Sequence, residues 1–260
     1  MGGAWILVAP LSPWDMTWAD AAFQQLVGHA LSREDVKMTL KLSTLSGRAG
    51  GWVSAALLAA MLSFVAAPAR ADSPLTSTDI AKAYEGGGLP ELDVARGGVL
   101  VADLAQRLLA EDLDLGSKVA LVNALGWDTE GKANSSVFIE TLEGKYGAAL
   151  YGAGGALDAN ALTTDELVVL GYLTALDNYF APWQAIGYLD LAVLRAPESL
   201  TVNLVLGLVR AQLALAVDWC QTWQSVEGPL TRTASYVPDI KIEAVDAVDA
   251  YMGAYRSYCP

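Results

Sequence analysis

The chain has 260 residues, 16 basic and 29 acidic, and a single histidine. The net charge of −13 disfavours nucleic acid and anionic membrane as partners, because both present phosphate. His29 lies in the first segment of the chain, so any product cut after Ala71 has no imidazole for a catalytic triad or an HExxH zinc site.

Residues 52–67 are apolar, but fewer than the roughly 20 that a membrane-spanning helix needs. Lys41 and Arg48 precede them, and small residues at Ala69 and Ala71 follow. A basic start, an apolar middle and an A-x-A exit predict a secretory signal over residues 38–71, cleaved between Ala71 and Asp72. Met38 then reads as the start, and residues 1–37 as an upstream extension outside the fold; the alternative is a cytosolic extension with an amphipathic helix near residues 19–31. Residues 72–260 form the mature domain, with 11 basic and 25 acidic residues. Its expected location is periplasmic or secreted.

Along this domain, Thr76–Asp79 offers cap oxygens to a short helix at 80–84. Residues 85–98, rich in glycine, read as a loop. Leucines at 104, 108 and 109 predict a helix over 99–111. A turn at 112–116 precedes a helix over 117–125, and WDTEGKAN (127–134) reads as a loop. Phe138, Leu142 and Tyr146 mark a helix over 135–151. A glycine-rich turn at 152–160 leads to Thr163-Thr164-Asp165-Glu166, a capping box that opens a helix over 165–179. Pro182 sits at the start of a helix over 183–195. Pro197 separates it from a helix over 198–215, which continues after a kink through 216–227 and ends at Gly228-Pro229. A last amphipathic helix covers 240–255. The fold class is all-α: antiparallel helical hairpins in an irregular α-solenoid or bundle. Residues 200–217 read as a buried central helix rather than a membrane span, because Asn203, Arg210 and Gln212 interrupt them.

The spacing A-x3-L-x2-A-x4-P-x8-L-G, carried by Ala185, Leu189, Ala192, Pro197 and Leu206-Gly207, resembles the second helix of one tetratricopeptide repeat and the first of the next. The likeness implies stacked hairpins with a face that binds peptides or proteins. It departs from the pattern at Tyr172-Leu173, at Arg210 and at Trp219, where a Leu-Gly pair, an aromatic and a small residue are expected.

Cys220 and Cys259 are an even pair in a chain read as exported, which predicts a disulfide worth roughly 4 kcal/mol by chain entropy. Glu198-Ser199 is similar to the acid–base pair of lytic transglycosylases, but the Gly-Leu-Met-Gln run of that family is absent. Glu198 reads instead as a helix N-terminal charge. The acids of Asp112–Gly116 and Asp128–Asn134 lack the EF-hand register and read as capping turns. No catalytic residue, metal or cofactor is assigned. Arg210 and Asn203 share one helical stripe. An arginine there forms either an internal ion pair or a groove cation for a partner's carboxylate. Trp183, Trp219 and Trp223 are the accompanying hot-spot aromatics, with the protein core as their alternative place.

The expected function is non-catalytic binding of a protein or peptide in the cell envelope. A carboxylate-dependent glycan enzyme and a small-ligand carrier are the alternatives. Intact mass of the exported protein checks the signal: a mature N-terminus near Asp72 is expected, and any distant terminus rejects the cut.

Overall fold

Side-chain caps start the two hairpins and the helix across them in the computed structural model, which describes residues 73–128 and 130–260. The proposed signal, its cut at Ala71 and Asp72, and residues 1–37 lie outside the described residues. All described residues fall in one compact unit. Their α-helices are α1 Glu91–Ala95, α2 Ala102–Leu109, α3 Leu115–Leu125, α4 Asn134–Tyr146, α5 Thr164–Asp177, α6 Trp183–Arg195, α7 Leu200–Ala214, α8 Trp219–Thr231 and α9 Ile242–Met252. Short 3₁₀ turns occupy Ala81–Tyr84, Gly147–Leu150 and Gly253–Tyr258. No strand occurs among the described residues, so the class is all-α.

Each main cap follows from a short polar side chain before an apolar run. Asp114 accepts from the Ser117 N–H at 2.8 Å and starts α3. The capping box of α5 is complete: Thr163 Oγ1 accepts from the Glu166 N–H, and Glu166 Oε2 accepts from the Thr163 N–H. Ser199 caps α7 through the Val202 N–H, and Asp218 caps α8 through the N–H groups of Cys220 and Gln221.

Several boundaries differ from the sequence expectation. The segment 85–98 contains a helix, α1, started by Pro90 with Glu91 and Asp93 in its first turn. Helix α4 stops at Tyr146 because Gly147 takes a positive φ of 56°, and the chain continues as 3₁₀ to Leu150. The helix expected over 198–227 is two helices rather than one kinked rod, because Asp218 opens a new N-terminus. Gly228-Pro229 does not end α8; Pro229 lies inside it. Proline has no N–H, so the Ser225 carbonyl loses its helical donor. That carbonyl faces Gly207 of α7, where an added Cβ would lie 2.7 Å from its oxygen.

The broadest packing joins α5 to α6 and α7 to α8, and α6 lies beside α7. These two hairpins correspond in position, with few shared residues. Thr163 and Ser199 are the first caps, Gly171 and Gly207 the small contact residues, and Trp183 and Trp219 the first residues of the second helices; each pair is 36 residues apart. Leu170-Gly171 is therefore the upstream counterpart of Leu206-Gly207, two residues before the place where a tetratricopeptide register would put it. Gly171 meets Leu189 of α6 as Gly207 meets Ser225 of α8, each across 18 residues of chain. Helix α3 lies across both α5 and α7. Helices α1 and α2 extend the layer beside α3 and α4, and α9 closes it against α8 and Ala81–Tyr84.

Burial follows this placement. Every residue of α5 from Glu166 to Asp177 is buried, because α3, α4, α6 and α7 surround it. Helix α7 is buried up to Val209, apart from half-buried Asn203, and then emerges. No helix of the described residues is long and apolar enough to cross a membrane.

The glycine seats are testable. Gly171→Ala and Gly207→Ala should each destabilise the protein by about 1–3 kcal/mol through overpacking. Gly207→Ala should cost more, because its obstacle is backbone and that of Gly171 is a side chain. Equal denaturant midpoints for the two variants and the parent would refute the close packing.

Candidate functional site

The five residues expected to meet a partner separate into three environments. Arg210 emerges from the outer end of α7, and its Nη2 donates to Asp190 Oδ1 of α6 at 2.7 Å. The pair is half exposed on both sides, so it is a surface ion pair between neighbouring helices rather than an internal one. Asn203 donates to the carbonyls of Pro197 and Ser199 at 3.0 and 2.8 Å, which ties its amide to the start of its own helix. Trp223 is core, with the Arg256 guanidinium 5.7 Å over its ring.

Trp183 and Trp219 form the third environment. In an antiparallel array, the α5–α6 and α7–α8 turns project from the same end. Those turns expose Phe180 by 76%, Trp183 by 61%, Val217 by 83% and Trp219 by 48%. Trp219 is held edge-on by Tyr258 at 4.5 Å and Tyr255 at 6.5 Å. The Cys220–Cys259 disulfide, with S–S 2.09 Å, fastens that C-terminal turn to the start of α8. The sequence displays the tryptophans but not this exposure, which depends on which ends of the helices meet. Phe180 and Val217 carry no sequence signal apart from their place in turns.

A second exposed patch lies farther along the side of α6 that faces away from the core, beyond Asp190. Trp183, Gly187, Asp190 and Leu194 recur at helical spacing along one stripe, and Leu194 is 78% exposed. Leu213 lies three residues beyond Arg210 on α7 and is also exposed. Apolar side chains thus flank the Arg210–Asp190 pair.

The carboxylates singled out by sequence have structural duties. Glu198 precedes the α7 cap and is exposed; its carbonyl accepts from the Val237 N–H at 2.7 Å. It therefore lies outside the helix whose N-terminus it was expected to charge, and Ser199 holds that position. Asp114 and Asp239 meet at a cleft of about 530 Å³ beside Tyr84, Arg107 and Lys241. Asp114 serves the start of α3, and Asp239 accepts from the Thr201 N–H and hydroxyl at the start of α7. Arg107 is bound by Glu91 and Asp112. The Lys241 ammonium lies over the Tyr84 ring and donates to the Ala83 carbonyl. Burial raises the Tyr84 hydroxyl above its ordinary pKa, and the neighbouring acids add to the shift. Among the described residues, no group of three His, Cys, Asp or Glu side chains could hold a metal ion.

Two buried carboxylates at the ends of α5 have displaced pKa values. Burial raises the Glu166 carboxyl, but hydrogen bonds from Lys145, the Thr163 N–H and Tyr146 outweigh it and hold the group below the usual range. Asp177 is raised by burial, only partly offset by the hydroxyl and N–H of Ser135. Lys132 is lowered by burial, against the pull of Asp128 and Asp177.

Compared with known proteins, the chain matches no family model, no curated protein and no solved structure.

The two carboxylates predict opposite pH effects. Glu166 stabilises fully above the ordinary carboxylate range and loses that contribution as pH falls through its lowered pKa. Asp177 is the reverse: the folded state holds its proton longer, so stability declines as pH rises between its ordinary and raised pKa. Glu166→Gln should cost about 1–3 kcal/mol at neutral pH and flatten the acid limb. Asp177→Asn should flatten the decline just above the ordinary carboxylate range. Urea midpoints between about pH 3 and 7 measure both, and unchanged limbs would refute the assignment.

Proposed function

We propose that this is an exported, non-catalytic helical protein of the cell envelope that binds a protein or peptide on its α6–α7 side. The carrying observation is the exposed Leu194 beside the surface Arg210–Asp190 pair, with Leu213 adjoining. Apolar anchors around a directional charged pair are the usual make-up of a binding patch, in which the aliphatic groups give affinity and the ion pair gives orientation. Arg210 can exchange Asp190 for a partner's carboxylate at small cost, since an exposed pair contributes little to folding. Export is supported by the residues 38–71 pattern and by two cysteines joined as a disulfide. Kinship to helical-repeat binding proteins is supported by the 36-residue correspondence of the two hairpins.

Photo-crosslinkers placed at Leu194 and Leu213 in the tagged protein, irradiated in its own cell envelope, test the reading. One stoichiometric protein adduct is expected, reduced at least tenfold by Arg210→Met or Leu194→Asp introduced at the unlabelled position, with the melting temperature unchanged. Absence of a protein adduct from a folded, exported protein would overturn it.

A further inference from the structure

We infer that the end of the molecule formed by the α5–α6 and α7–α8 turns is a lipid-contacting edge that rests on an electrically neutral, zwitterionic membrane surface. Three observations lead there. The first is composition against a strongly acidic background. Residues 178–189, 211–217 and 219–226 contain no Asp, Glu, Lys or Arg, in a chain of net charge −13. Of the acids that border these segments, Asp190 is paired with Arg210 and Glu227 is exposed farther along α8. Asp177 binds Ser135 at the start of α4, and Asp218 binds the first N–H groups of α8. The edge thus carries few charges, chiefly exposed Asp218 and Arg256 of opposite sign, where the chain as a whole is strongly acidic, and it suits a surface without net charge.

The second observation is residue type. Phe180, Trp183, Val217 and Trp219 project into solvent, and half-exposed Tyr258 packs against Trp219. Tryptophan and tyrosine favour the boundary between headgroups and acyl chains, where the ring meets hydrocarbon and the N–H or O–H stays wet. The Trp219 indole N–H already donates to the Leu215 carbonyl at 3.1 Å, so its ring can enter an apolar layer without an unpaired donor. The third is shape. These side chains stand on the tips of two adjacent turns, and the 36-residue correspondence puts both tryptophans at the same level of their hairpins. Protruding tips at a common level suit a deformable plane. A folded protein partner would need a matching hollow for each.

This edge is separate from the Leu194 end of α6, which starts at the tips and runs away from them for 13 residues. Attachment through the tips leaves the far part of the α6–α7 side in water. Residues 52–67 are the same in the parent and in every variant tested, so differences between these proteins report on the edge.

The test uses the full chain with phosphatidylcholine vesicles. A polarity-sensitive dye is attached through Val217→Cys, and in a second protein through Leu194→Cys. The dye at 217 should shift to the blue on vesicle addition and be quenched by a bilayer-embedded quencher, whereas the dye at 194 should do neither. The response at 217 should persist from about 0.05 to about 0.5 M salt, because it does not rely on charge. Phe180→Ser combined with Val217→Ser should weaken vesicle partitioning about tenfold or more relative to the parent, with the circular dichroism unchanged. No shift at 217, equal shifts at both positions, or unaltered partitioning of the double variant would overturn the proposal. So would a dimer in solution that the double variant dissolves while vesicles leave the dye at 217 unmoved.

Discussion

Two buried carboxylates on one helix fix the arrangement on which the rest of the protein is built. Helix α5 is apolar on every side between its ends, and such a helix has no preferred rotation or register among its neighbours. Glu166 near its start takes hydrogen bonds from Lys145 and Tyr146 at the end of α4. Asp177 at its end takes the N–H and hydroxyl of Ser135 at the start of α4. The antiparallel pair is therefore fastened at both ends, and sliding or rotating α5 would leave buried charge unpaired. Two more polar contacts fix its other sides. Asp165 meets the buried Lys118 ammonium of α3 at 2.7 Å. The Tyr172 hydroxyl, pushed up to about 12 by complete burial, accepts from Asn123 of α3 at 2.9 Å. The same Asn123 holds Thr78 and Ala81, so the start of the described chain is tied to the central helix through one amide.

Once α5 is fixed, the hairpins follow by close approach. Gly171 lets Leu189 of α6 sit against the backbone, and Gly207 admits the Ser225 carbonyl that Pro229 has released. The second hairpin is held from outside by Asp239, whose carboxylate spans 38 residues of sequence to reach the start of α7. The disulfide then brings the last turn onto α8. Each step reduces the freedom of the next, which is why an irregular first half and a regular second half coexist without a break in the core.

What could be read from the sequence was local. The capping box at Thr163, the helix starting at Trp183, and the separation at Pro197 are set by a few consecutive residues, so they are visible without the fold. The α7–α8 break was less visible because Leu215, Ala216 and Val217 continue an apolar run, and only Asp218 marks the restart. Helix α1 was hidden by the glycines on both sides of it. Arg210 shows the limit for the site. Its stripe is legible, but whether that stripe faces the core, a cleft or water depends on where α3 lies, and that is a long-range fact. The three tryptophans look alike in sequence. Position on the helix separates them: Trp183 and Trp219 begin helices at a turn, and Trp223, one turn further along α8, points into the core.

The same stacking that buries α5 creates the contrast on the surface. A hairpin array has one set of turns at each end, and short turns bring apolar residues of helix ends close to solvent. Charged residues usually relieve this, and most of this chain supplies them freely. At the α5–α6 and α7–α8 turns it supplies few: exposed Asp218 is engaged by the first N–H groups of α8, and Phe180, Trp183, Val217 and Trp219 stand exposed around it. Correspondence between the hairpins makes this a property of two units rather than of one loop. The tryptophans share a position 36 residues apart although few of the residues between them agree, and neither is needed where it stands for packing of the hairpin cores, which rest on Gly171 with Leu189 and on Gly207 with Ser225. Tyr255, Tyr258 and the Leu215 carbonyl hold the Trp219 ring in place, yet both indoles stay substantially exposed, and that cost in water is offset when something less polar covers this end.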